Sequence, residues 1–205
     1  MTDGPNLADS ILVEDLESLY QGYLRIDHYR LTHAKFDGGR TPVLSRELME
    51  RGHAVALLPY DPVSDCVVLI EQFRIGAYAA GFHPWLVEIV AGIIDAQESP
   101  EAVARREARE ETGLEIGRLE PIGHYLTSPG CTSESLRIYC GEVDSETAGG
   151  IHGLPDEGED IRVFTLPFDE AAMALTTGGF TNFPIVLAMQ WLMINRERVR
   201  SLWAT

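Results

Sequence analysis

Residues 92–114 read GIIDAQESPEAVARREAREETGL, and the fold of the rest follows from how this stretch must behave. Ser99 followed by Pro100 marks a helix start, since a hydroxyl accepts an orphan amide at the N-cap and proline has no N–H to leave unpaired at the first position. Gly113 marks the stop, because a helix ends most readily on a residue free to enter the left-handed region. The stretch is therefore a loop, a helix of about four turns and a sharp exit. At about 100° per residue, Glu107, Glu110 and Glu111 share one face near the C-terminal end. Alone that arrangement is unfavourable: like charges one turn apart cost roughly 0.2–0.5 kcal/mol, and the helix dipole disfavours anions at that end. A divalent cation removes both objections, and carboxylates without His or Cys suit Mg²⁺, with Mn²⁺ possible.

Most glutamate-rich helices are solvated faces, and here the spacing decides otherwise. Gly92, Glu98, Arg106, Glu107, Glu110, Glu111 and Gly113 stand at the intervals G-x5-E-x7-R-E-U-x-E-E-x-G-U, with apolar Ala108 and Leu114 at U. Seven specified residues would coincide by chance in about one chain in a million of this length. The chain resembles the Nudix hydrolases, which carry this loop and helix. The resemblance implies an α/β (α+β) fold, an α-β-α sandwich with a mixed β-sheet. It also implies that Glu107, Glu110, Glu111 and the carbonyl of Ala91 hold divalent metal on a diphosphate, and that Arg106 and Glu98 orient them.

Upstream of the helix, PWLVEIVAG (residues 84–92) reads as one buried strand leading into the loop. Before it, HAVALLPYDPVSDCVVLIEQFR (53–74) is two apolar runs joined by a Pro-Asp-Pro turn, a hairpin, and GAYAAGFHP (76–84) is a loop. Residues 11–50 read as strands that bury too little to stand alone. They are expected to form a β appendage, residues 1–50, that packs on a second copy of the chain, leaving 51–205 as the main domain. Downstream, residues 119–126, 136–143 and 161–167 are strands, and SETAGGIHGLPDEGED (145–160) is a long acidic loop. Residues 167–179 give a short helix ending at Gly178, and 184–203 a long amphipathic one.

Composition sets the outer limits. With 45% hydrophobic residues in 205, the chain can bury a sizeable core. A net charge of −16 argues against nucleic acid or anionic membrane as partners, so an anionic substrate needs metal and local arginines. No apolar run reaches span length and the first residues lack a signal-peptide pattern, which points to the cytoplasm. Three scattered cysteines without CxxC spacing read as buried thiols.

Outside the box, the segments SRELMERGHAVALLPYDP, EQFRIGAY, PWLVEIVAG, SPGCTSE and GIHGLPDEGEDIRV resemble the ADP-ribose pyrophosphatases within the Nudix hydrolases. That resemblance implies Mg²⁺-dependent hydrolysis of ADP-ribose to AMP and ribose 5-phosphate by a homodimer. It implies that Arg46 and Arg74 clamp the diphosphate and nucleotide, that Tyr23 stacks on adenine from the partner subunit, and that Pro129 and Glu134 belong to the substrate site. Glu157 matches the proposed general base, with Asp156, Glu159 and Asp160 as alternatives in the same cluster. Many relatives have proline where this chain has Val90, which loosens the expected geometry of the Ala91 carbonyl. Two other readings compete: hydrolysis of another nucleoside diphosphate sugar such as GDP-mannose, and a non-catalytic nucleotide sensor. Trp85 reads as core or surface, and His152 is the one histidine in the acidic loop.

Overall fold

The computed structural model describes residues 10–95 and 97–204. Two compact units divide the chain, Met1–His53 with Leu126–Ser135, and Ala54–Tyr125 with Leu136–Thr205.

The first unit is an antiparallel sheet of three strands, β1 (Ile11–Gln21), β2 (Arg25–His33) and β3 (Leu44–Glu50), in that order. Register shifts between Val13 and Asp15 and between Ser18 and Tyr20 mark two bulges in β1. The β2–β3 turn uses Gly38 and Gly39, both at positive φ. Every residue of β1 is exposed, including Ile11, Leu12, Val13, Leu16 and Leu19. Residues 126–135 join this unit through Met49 N–H to Cys131 O (2.8 Å), the Met49–Thr132 bridge and a salt bridge from Arg51 to Glu134 (3.2 Å).

The second unit is a mixed sheet with helices on both faces. Its strands are β4 (Ala54–Asp61), β5 (Cys66–Phe73), β6 (Trp85–Glu88), β7 (Val90–Ile93), β8 (Leu119–Leu126), β9 (Ser135–Glu142), β10 (Gly150–His152) and β11 (Ile161–Pro167). Its helices are α1 (Ile75–Ala79), α2 (Pro100–Thr112), α3 (Phe168–Thr176) and α4 (Phe183–Trp203). The order across the sheet is β10-β11-β5-β4-β9-β8, and β4 runs parallel to β9.

Alternation along the two central strands builds both cores. Ala54, Ala56, Leu58, Tyr60, Val67 and Leu69 pack on α3 and α4 through Ala171, Ile185, Ala188, Met189 and Leu192. Val55, Leu57, Val68 and Ile70 turn the other way onto Val103, Ala104 and Ala108 of α2. Small residues on that face of α2 let its backbone come close to the sheet, which is how its carboxylates reach β7.

One detail positions the site. β4 and β5 pair only beside their turn, Tyr60 with Val67 and Asp61 with Cys66, and then part. β6 lies along the free end of β5, and β7 along the free end of β4. The segment 84–92 is therefore two strands, not the single strand its apolar run suggests. The break falls at Ile89, which is buried on the α4 side while Val90 is buried on the α2 side.

Three other expectations change. The 76–84 loop begins with the exposed turn and a half of α1, where Ala77 and Ala79 favour a helix. The 145–160 loop contains β10, paired with β11, and a 3₁₀ turn at Pro155–Glu157. Of the thiols only Cys140 is buried; Cys66 is half-buried and Cys131 exposed. Trp85 is exposed and packs edge-on against Phe73. No described helix is long and apolar enough to cross a membrane.

Candidate active site

Helix α2 begins and ends as its sequence requires. Ser99 Oγ accepts from Ala102 N–H (3.2 Å), Pro100 is the first helical residue, and Gly113 closes the helix at φ 71° with its N–H on Arg109 O. These ends fix the register of the last turn, so Glu107 and Glu111 meet β7 at Gly92 and Ala91, while Glu110 turns to Arg106.

Glu111 is 3% exposed and accepts one hydrogen bond, from Ala91 N–H at 3.1 Å. Burial pushes its carboxyl up to about 8 against the Ala91 hydrogen bond, and the Glu107 and Glu159 charges add to the rise. Burial likewise raises Glu107 to about 7; Arg106 opposes this and the Glu110 and Glu159 charges reinforce it. Gly92 makes room for this packing, since a Cβ there would overlap the Glu107 carboxyl.

Arg106 is the local counter-charge. Its Nε and Nη2 each reach Glu98 at 3.2 Å, and its Nη1 reaches Glu107 at 2.8 Å and Glu110 at 2.9 Å. Among the described residues no three carboxylates converge as a ready-made ligand cage; Arg106 Nη1 sits between two of them. The donor set still fits a hard divalent cation. Burial holds the carboxyls of Glu111 and half-buried Glu107 above their ordinary range, and all the donors are oxygen.

Arg74, at the end of β5, points its Nε and Nη2 at Glu88 Oε2, each at 2.9 Å, and its charge acts on Glu111. The acidic loop is attached to the end of α2 by Gly153 N–H on Glu110 O (3.3 Å), and the His152 ring fills the space over Gly113. Within that loop Glu157 is exposed, whereas Glu159 accepts from Leu154 N–H at 3.0 Å and carries the charge felt by Glu107 and Glu111.

The second unit thus gathers Ala91, Glu98, Arg106, Glu107, Glu110 and Glu111, with Arg74 and the Glu157 loop beside them. Arg46, Tyr23, Pro129 and Glu134 belong to the first unit. There Arg46 lies exposed on β3 with Nη1 on Ser45 O (2.7 Å), and Tyr23 is 85% exposed in the β1–β2 turn. Pro129 sits in the turn closed by Cys131 N–H on Ser128 O, and Glu134 holds Thr127 Oγ1 (2.9 Å) and Arg51. Val90 is buried against α2.

Sequence reading missed Glu88 and Asn182. A lone acid inside the apolar run PWLVEIVAG is a signal that could have found Glu88, because a buried carboxylate needs partners. Asn182 carries no such signal.

Comparison with known proteins gives the family. Residues 50–187 match the family model described as NUDIX domain. The chain is 50% identical over 188 residues to an ADP-ribose pyrophosphatase of Escherichia coli strain K12, covering 92% of this chain and 90% of that protein. It is 36% identical over 152 residues to a GDP-mannose pyrophosphatase of Escherichia coli O1:K1, covering 73% and 78%. Its fold is that of a crystal structure described as an ADP compounds hydrolase, with a TM-score of 0.67 at 21% identity over 90% of this chain and 95% of the other. With a family model spanning well over half its length around a glutamate-bearing helix at the centre of the site, the chain belongs to the Nudix family, alongside the ADP-ribose pyrophosphatases.

Proposed function

We propose that this chain hydrolyses ADP-ribose to AMP and ribose 5-phosphate in the presence of Mg²⁺, with Mn²⁺ as a substitute. The observation that carries the reading is 50% identity across 92% of the chain to a protein named for that activity, against 36% across 73% for the GDP-mannose counterpart. The glutamate face of α2 supports the chemistry. Glu107, Glu110, Glu111 and the Ala91 carbonyl would hold the cation, which supplies positive charge to the diphosphate oxygens.

The chain's own residues do the rest. Arg106 keeps Glu98, Glu107 and Glu110 in place through its three nitrogens. Arg74 and Arg46 bind the diphosphate, whose non-bridging oxygens can take two parallel N–H bonds from a guanidinium. Tyr23 stacks on the adenine bound by the other copy of the chain, with Pro129 and Glu134 contributing to the substrate site. Glu157 takes the proton from the water that attacks phosphorus; the bridging P–O bond breaks and the other phosphate leaves with its electron pair. The exposed apolar residues of β1 support assembly as a homodimer, since such a face is ordinarily covered.

The test is AMP release from ADP-ribose with Mg²⁺, run beside GDP-mannose and a chelator control. Chelator-sensitive cleavage of ADP-ribose in preference to GDP-mannose is expected. Preference for GDP-mannose would overturn the substrate, and binding without turnover on either would overturn the enzyme in favour of a sensor.

A further inference from the structure

Glu88 is a buried carboxylate that the chemistry above leaves unused. It is 5% exposed, and three elements converge on it. From the end of β5, Arg74 delivers Nε and Nη2 to Oε2 at 2.9 Å each. From the N-terminus of α4, Asn182 Nδ2 donates to Oε1. Behind it on β5, Gln72 sits on the same face of the sheet as Ile70, the residue Glu88 pairs with. Gln72 is buried, and its Nε2 has no hydrogen-bond partner of ordinary geometry.

Two features set this apart from an ion pair that merely pins a strand. The pair is one-sided: the carboxylate is buried, while the Arg74 side chain is 43% exposed and uses only its Nε–Nη2 edge on Glu88. Among the described residues Nη1 makes no hydrogen bond. Asn182, moreover, occupies the N-cap of α4 yet makes no side-chain cap hydrogen bond, and its side chain reaches Glu88 through Nδ2. An N-cap asparagine ordinarily stabilises its own helix by accepting an amide N–H on Oδ1; here Oδ1 makes no such bond and Nδ2 donates to the carboxylate.

We propose that Glu88, held by Asn182, is a positioning residue that sets the Arg74 guanidinium for the substrate diphosphate. Fixing one edge of the fork against a buried anion leaves the opposite edge aimed at the ligand, so less rotamer freedom is lost when a phosphate arrives. The inference rests on the reading that Arg74 contacts the diphosphate.

The test is a double-mutant cycle on the full chain, reading kcat and KM for ADP-ribose with Mg²⁺ and, separately, the dissociation constant for ADP-ribose in chelator by calorimetry. Glu88→Gln is expected to raise KM and the dissociation constant about tenfold while kcat stays within about twofold. On the Arg74→Ala background the same change is expected to add nothing, because the group it positions is gone. Asn182→Ala, at a partly exposed residue, is expected to give a smaller rise that also vanishes on that background, and it decides the matter if Glu88→Gln does not fold. Additive effects, or a fall in kcat with KM unchanged, would overturn the proposal. Wild-type chain that binds ADP-ribose in chelator but does not cleave it when Mg²⁺ is supplied would overturn the hydrolase reading and leave the cycle to be read in binding.

Discussion

Replacing Glu111 with glutamine separates what this side chain does to the fold from what it does to the metal. In the folded chain burial lifts the carboxyl from its ordinary 4.5 to about 8. The unfolded chain ionises near 4.5 and the folded one keeps its proton, so stability is lost as pH rises from 4.5 towards 8. At pH 7 the gap of 2.5 pH units corresponds to on the order of 3 kcal/mol at about 1.4 kcal/mol per unit. Glu107, raised to about 7, acts with the same sign. Glutamine keeps the shape and still accepts from Ala91 N–H but has no proton to lose. In chelator, Glu111→Gln should therefore exceed wild type by only about 1–3 °C in Tm at pH 5 and by roughly 6–12 °C at pH 7 for a chain of this size. Mg²⁺ should reverse the order, raising the Tm of wild type and leaving the variant where it was, while AMP release by the variant falls by at least about a hundredfold. Thermal scans at pH 5, 6, 7 and 8, with and without Mg²⁺, measure both effects. Parallel Tm curves for the two proteins across this range in chelator would refute the claim that Glu111 is held protonated by burial.

Other substitutions follow from the same geometry. Glu157→Gln should lower kcat by about a hundredfold with Tm unchanged, since the side chain is exposed; an unaltered rate would move the proton acceptor elsewhere in the 156–160 cluster. Gly113→Ala forces a side chain to φ 71° and against the His152 ring, so urea unfolding should show a loss of at least about 1 kcal/mol. Asp61 is buried, which by itself would raise its carboxyl, but hydrogen bonds from Ser64 and Ser145 outweigh this and hold it at about 2. The stability it contributes is full above 3.8 and disappears as pH falls from there towards 2. Asp61→Asn should lose about 1–3 kcal/mol at pH 7 and flatten that part of the acid-unfolding curve.

The two ends of α2 were legible because each rests on local chemistry: a hydroxyl and a proline at one end, a glycine at the other. The hairpin and the long terminal helix were legible because apolar periodicity spans them. What escaped depends on contacts distant in sequence. That PWLVEIVAG divides at Ile89 follows from β4 and β5 parting after two residue pairs, and nothing within the nine residues announces it. Asn182 lies 94 residues from Glu88 and looks like any helix N-cap. Glu159 and Glu157 are two residues apart in a run of acids, and only the packing of the loop shows that the charge of Glu159 reaches Glu107 and Glu111.

The brief pairing of β4 with β5 divides β4 into two lengths with different duties. At the closed end, Tyr60 and Asp61 work only on cohesion, through Trp203, Asp65 and Ser145. At the open end, Val55 and Ala56 stand opposite Gly92 and Ala91, so any added bulk there is transmitted to the strand that carries the Ala91 amide and its bond to Glu111. Ala56→Val, wholly inside the core and touching no ligand, would then register as weakened Mg²⁺ affinity, while an equal insult at Tyr60 would register only in the melting curve.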